Sequence, residues 1–187
     1  FFRTGYPHCY KVDFTHPDPA HERLLALSRR TFECCTFETY MDCPFYEQMM
    51  YIGDTRVQAL VTYTICSDWR LPRKALRTLA EAIDPAGNMQ NRYPGKEIAV
   101  RPCWGRAIAQ VQVYIPSFSL FFLSMVHDYA RLRDDDGLVR ELLPSLRLLA
   151  ENTRSHLCQD GLLRLPGWNF IDWLPNWQSG VPPGGKQ

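Results

Sequence analysis

At 187 residues the chain is long enough for one ordinary domain with a real core. Its 45% hydrophobic and 13% aromatic content excludes a disordered chain, and a formal net charge of +1 gives no electrostatic case for nucleic acid or an anionic membrane. The longest apolar stretch, around Ile115–Val126, is broken by Pro116, Ser117, Ser119 and Ser124 and is too short to span a bilayer.

In chain order, residues 1–14 read as a short β segment, aromatic and β-branched residues punctuated by Gly5 and Pro7. The Pro-rich stretch Thr15–Pro19 follows as a linker, and Asp18-Pro19 supplies a cap and first turn for a helix over 20–37, with Leu24, Leu25, Leu27, Phe32 and Cys35 inward. A second helix is expected over 44–66, because Pro44 suits a first turn and apolar residues follow on most sides: Phe45, Met49, Met50, Ile52, Val57, Ala59, Leu60 and Val61. A third covers 70–83 and stops at Asp84-Pro85. Residues 84–115 read as irregular, with a short strand at Ile108–Tyr114. Helices over 116–133 and 137–157 come next, the latter capped from Asp134-Asp135-Asp136. The chain then enters an aromatic loop, Trp168-Asn169-Phe170-Ile171-Asp172-Trp173. The expected class is mainly α, with helices in antiparallel hairpins.

Cys9, Cys34, Cys35, Cys43, Cys66, Cys103 and Cys158 are odd in number, without CxxC or zinc-like spacing to a histidine. They read as reduced, small apolar residues, which leans weakly toward the cytoplasm. No metal or other cofactor is expected. His127 reads as a core histidine and Asp128 as a local cap or pair. The opening Phe1-Phe2-Arg3 and the Pro–Gly-rich close read as the ends of a piece of something longer.

The most informative stretch is Asp42-Cys43-Pro44-Phe45-Tyr46-Glu47-Gln48-Met49-Met50-Tyr51-Ile52-Gly53-Asp54. On the expected helix, Glu47, Tyr51 and Asp54 at i, i+4 and i+7 share one stripe, given about 100° per residue. A solvated helix face can show the same pattern. The apolar surroundings argue for a sugar-cleaving site, where acids handle protons and hydroxyls and a ring stacks on the sugar's C–H face. Seven residues on a straight helix rise about 10 Å, too far for Glu47 and Asp54 to form a retaining pair. In the first turn of that helix the dipole favours an ionised Glu47, while Asp42 and the surrounding rings oppose it. Trp168, Asp172 and Trp173 could line the same subsite, and Trp104 and Arg106 could lie over it.

The stretch Asp42-Cys43-Pro44-x-x-Glu47-Gln48-x-x-Tyr51-x-Gly53-Asp54 resembles the signature of bacterial α-L-rhamnosidases, inverting glycoside hydrolases. The likeness continues through Asn91-Arg92-Tyr93-Pro94, Ile115-Pro116-x-Phe118-Ser119-Leu120, Met125-Val126-His127-Asp128-Tyr129 and Trp168-Asn169-Phe170-x-Asp172-Trp173. It implies a partial (α/α)6 barrel over 15–187, preceded over 1–14 by the tail of a β-sandwich. It implies Glu47 as general acid, Asp42 and Asp54 as ligands of sugar hydroxyls, and Tyr51 as the stacking ring. It also implies a rhamnose-containing glycoside as substrate, the remaining domains of a full-length enzyme as partners, and a catalytic base beyond residue 187. The isolated chain is then expected to be inactive. Most members carry Trp at the position of Tyr51 and Arg at that of Tyr46. The stretch Lys96–Tyr114 looks longer than the family's usual connection. Another sugar specificity, or a non-catalytic carbohydrate-binding protein on the same scaffold, remains open on sequence alone.

Overall fold

The computed structural model describes residues 4–95 and 114–184. Five helices occupy these residues: α1 (Pro19–Cys34), α2 (Ile52–Ile65), α3 (Arg70–Ala80), α4 (Pro116–Leu132) and α5 (Asp136–Ser155). Among the described residues there is no strand, only isolated antiparallel bridges. The N-terminal β segment thus reduces, in residues 4–14, to one bridge, Tyr10 with Cys66. The expected strand at Ile108–Tyr114 lies outside the described residues except for Tyr114.

Capping residues set the helix starts. Asp18 accepts a hydrogen bond from the Ala20 amide at 2.9 Å with Pro19 in the first turn of α1. Asp135 accepts one from the Leu138 amide at 3.2 Å and opens α5. The same carboxylate takes the Tyr129 hydroxyl at 2.7 Å and Arg73 Nε at 2.9 Å. One residue thereby ties α3, α4 and α5 together, and these two donors hold its carboxyl down at about 2.

Helices α2 to α5 pack on one another, with α2 against α4 the most extensive pairing. Their shared core holds Ile52, Ala59 and Tyr63 from α2, Leu76 and Leu79 from α3, Phe122 and Tyr129 from α4, and Leu138, Leu142 and Leu149 from α5. Helix α1 joins this core through Phe32, against which the His8 ring packs at 4.5 Å. Leu24 and Leu27, expected inward, are instead 62% and 64% exposed. Among the described residues no helix packs over the α1 face carrying them, so the helical period does not bury them.

The second helix departs most from the sequence reading. It begins at Ile52, not near Pro44, and residues 42–50 form an irregular loop. Side chains close that loop against the backbone. Asp42 Oδ1 accepts from the Met49 amide at 2.8 Å, Gln48 Nε2 donates to the Pro44 carbonyl at 2.7 Å, and the Glu47 amide points at Cys43 Sγ at 3.3 Å. Gln48 adopts φ 54°, which no α-helix accommodates. The expected burial holds at Met50, Ile52 and Ala59 but not at Phe45 and Val57, which are 77% and 63% exposed.

His127 is exposed rather than a core histidine, and Asp128 pairs both with its neighbour His127, at 3.9 Å, and at long range with Arg56, at 3.1 Å. The described cysteines are free thiols; Cys35 and Cys66 are buried and Cys9 is exposed. No helix of the described residues is long and apolar enough to cross a membrane.

Candidate functional site

The loop 42–51 delivers its acids to one end of the α2–α4 pair. The Ile52 amide donates to the Asn91 carbonyl at 3.0 Å, and Tyr51 bridges to Arg92, so the stretch at 91–92 lies against the start of α2. The Trp168 amide donates to the Tyr114 carbonyl at 2.7 Å, which docks the aromatic loop beside the start of α4. Between these parts lies a cavity of about 570 Å³. It is lined by Asp42, Glu47, Tyr51 and Asp54 from the loop 42–51 and α2, and by Trp168, Asp172 and Trp173 from the aromatic loop. That volume lies within the usual range for small-molecule sites.

All seven residues singled out in the sequence therefore meet, though the helical stripe proposed for three of them does not exist. Glu47 and Tyr51 reach the cavity from the loop, and only Asp54 is helical. The 10 Å rise between Glu47 and Asp54 falls with the stripe, and the helix dipole acts on Asp54 rather than Glu47. Trp104 and Arg106 lie outside the described residues, as does nearly all of the long connection.

Tyr51 donates its hydroxyl to Glu47 Oε2 at 2.6 Å. The Arg92 guanidinium lies over the Tyr51 ring, 5.3 Å from its centroid, and its Nη1 is 3.5 Å from the Tyr51 hydroxyl. Burial raises the Tyr51 phenol well above its usual range, and the bond to Glu47 adds to the effect. Burial likewise raises the Asp54 carboxyl, outweighing a backbone hydrogen bond that lowers it; the charges of Asp42 and Glu47 push the same way as burial.

The residues lining the cavity from the aromatic loop are mostly rings. Trp168 and Phe170 lie 4.7 Å apart between centroids, Phe170 and Trp173 5.2 Å, and Trp168 and Trp173 5.9 Å. Trp168 Nε1 is anchored on the Ser179 carbonyl at 2.8 Å, while Trp173 is 68% exposed and free to meet a ligand. Gly180, at φ 71°, sits so close to Phe170 that a Cβ would fall 2.3 Å from the ring. Gly53 is in the same position against Phe118, at 2.6 Å, which gives that signature glycine a packing reason.

Arg92, Ile115, Phe118 and Phe170 also line the cavity and were assigned no role from sequence. Only position within matched stretches pointed to them. Among the described residues no three His, Cys, Asp or Glu side chains group closely enough to hold a metal ion.

The raised Asp54 carboxyl has a measurable consequence. The folded chain binds that proton more tightly than the unfolded one, so Asp54 favours folding at low pH and loses that contribution as pH rises through its folded value. Asp54→Asn should therefore raise the melting temperature at neutral pH, and the gain should shrink as pH falls toward 4. A gain that grows on acidification would contradict this assignment of cause.

A helical-hairpin domain with carboxylates and aromatic rings facing each other across a cavity at its helix starts has the make-up of an α-helical glycosidase. The chain belongs to the bacterial alpha-L-rhamnosidase six-hairpin glycosidase domain family, whose sequence model matches residues 12–186. Two solved structures share its fold. A GH78 family rhamnosidase of Bacillus sp. GL1 superposes with a TM-score of 0.76 at 24% identity, over 91% of this chain and 16% of that one. A rhamnosidase from Klebsiella oxytoca with rhamnose bound superposes at 0.71, also at 24% identity, over 89% of this chain and 31% of that one. The chain thus spans less than a third of the length of either. No curated protein matches it.

Proposed function

We propose that this chain is the N-terminal part of an (α/α)6 catalytic barrel in an inverting glycoside hydrolase that releases terminal α-L-rhamnose. Residues before about 15 are the tail of a preceding β-sandwich or a linker. The observation that carries the reading is the convergence of Asp42, Glu47, Asp54 and Asp172 with Tyr51, Trp168 and Trp173 around one cavity. A carboxylate wall facing an aromatic wall suits a deoxysugar, which offers hydroxyls on its edges and an apolar face.

Glu47 is the proton donor. It is exposed to the cavity, and its backbone amide and the loop around it are fixed by Cys43, Asp42 and Gln48. It gives its proton to the glycosidic oxygen as the bond to the anomeric carbon breaks and the bonding electrons pass to that oxygen. Asp42 and Asp54 accept hydrogen bonds from sugar hydroxyls, and Trp168, Asp172 and Trp173 hold the ring from the other side.

Inversion also needs a carboxylate base about 6.5–9.5 Å from the acid, across the sugar, holding the attacking water. In this reading the other carboxylates of the cavity bind the sugar or its loop rather than a water. Asp42 is tied to the Met49 amide, Asp172 Oδ1 to the Trp173 amide, and Asp54 sits in the first turn of α2. In this reading the base comes from the rest of the barrel.

The test compares this chain with the longer enzyme on an aryl α-L-rhamnoside, following the sugar by NMR. The longer enzyme should release the β-anomer first, and the 187-residue chain alone should show no turnover. Release of the α-anomer, or turnover by the chain at a comparable rate, would overturn the assignment. If the longer enzyme cleaves a different glycoside instead, the site belongs to another sugar.

A further inference from the structure

Tyr51 is the residue whose surroundings fit its expected role least. A stacking ring needs a free face and has no use for its hydroxyl. Here one face of the Tyr51 ring is covered by the Arg92 guanidinium, and the hydroxyl is committed to Glu47 Oε2 at 2.6 Å. Arg92 is itself held in place, with Nη1 at 3.3 Å from Asn91 Oδ1 and the backbone bridge to Tyr51 beside it. The cavity's other aromatic cluster is Trp168, Phe170 and Trp173 on the aromatic loop, whose rings pack at 50–60° to one another.

We propose that Tyr51 is a positioning residue for Glu47, with Arg92 behind it, and that the sugar platform is the Trp168–Phe170–Trp173 cluster. This rests on Glu47 being the proton donor. With Oε2 held by the phenol, the carboxyl presents Oε1 and its proton to the cavity in one orientation. When that proton moves to the glycosidic oxygen, Glu47 is left as a carboxylate. The Tyr51–Glu47 hydrogen bond then becomes charge-assisted, and such bonds are about twice as strong as neutral ones. The Arg92 cation polarises the phenol in the same sense. An interaction that strengthens as the proton leaves lowers the barrier rather than tightening substrate binding. A Trp in place of Tyr51 could stack, but it could not make this hydroxyl bond.

Tyr51→Phe keeps the ring and removes only the hydroxyl, so it separates the two roles. In the longer enzyme it should lower kcat about tenfold while leaving KM within about twofold. Arg92→Gln should act in the same direction. A Tyr51→Phe enzyme with unchanged kcat, or one changed only in KM, would overturn the proposal. A second measurement is independent of the reaction catalysed. In the 187-residue chain labelled at tyrosine Cζ, Glu47→Ala should shift the Tyr51 carbon signal and bring its ionisation to lower pH. No change there would show that the pair is not formed in solution, whatever glycoside the enzyme cleaves. A Tyr51 signal that does respond, in an enzyme inactive on rhamnosides, would sink the functional reading and leave the pair standing.

Discussion

Glu47→Gln in the enzyme that carries this domain should lower kcat by about a thousandfold on substrates with poor leaving groups, with KM little changed. The amide keeps the size of the side chain and still offers an oxygen to the Tyr51 hydroxyl, so the loop 42–51 should retain its shape. What is lost is the proton. The defect should therefore be much smaller on an aryl rhamnoside whose nitrophenolate leaves without protonation. A loss of equal size on both substrates would indicate a damaged fold or a different role for Glu47. Circular dichroism and the melting temperature of the variant separate those two. The expected change is far larger than that of Tyr51→Phe, because one removes the proposed acid and the other only its partner.

Trp173→Ala should weaken binding of L-rhamnose about tenfold or more, with little effect on stability. The indole is 68% exposed and touches the cluster of Trp168 and Phe170 at its edge, so truncation opens no hole in the core. A ring that packs on the apolar face of a sugar contributes through buried area and through the polarised C–H groups over its face, worth on the order of 1–2 kcal/mol when water is excluded. Trp168→Ala should cost affinity and stability together, because Trp168 also anchors the loop through its bond to the Ser179 carbonyl. A Trp173→Ala protein that binds the sugar as well as the unmodified one would leave the aromatic wall without a function.

The helices were legible where capping residues and apolar period agreed. Asp18-Pro19 and Asp135 open α1 and α5 as their sequences imply, and α3 and α4 start where expected and end within a few residues of it. The start of α2 was not legible. Pro44 and the apolar residues after it satisfy a helical pattern, but the hydrogen bonds of Asp42 and Gln48 and the positive φ of Gln48 hold the segment out of a helix. Local side-chain bonds competing with the helix are a general hazard for Asp and Asn before an apolar run.

The site was legible for a different reason from the one first apparent. Glu47, Tyr51 and Asp54 do converge, because the loop turns Glu47 back onto Tyr51 and not because a stripe aligns them. Arg92 carried no local sign of its place. It reaches Tyr51 through a backbone bridge between segments 41 residues apart, and no period or spacing records such a contact. Phe118 and Phe170 are likewise brought in by Gly53 and Gly180, whose missing side chains admit their rings. The sequence shows both glycines but not what they touch.

The central claim is that the cavity between the loop 42–54 and the aromatic loop 168–173 is a rhamnose site. The most direct measurement is a titration of L-rhamnose into the isotopically labelled 187-residue chain, followed by amide and indole NMR. The account predicts saturable shifts concentrated on Glu47, Tyr51, Asp54, Trp168 and Trp173, with a dissociation constant on the order of 1–10 mM for one sugar in part of a site. Those shifts should be lost in Trp173→Ala and should not appear with an unrelated hexose such as galactose. Shifts scattered over the surface, shifts centred elsewhere, or an equal response to both sugars would contradict it.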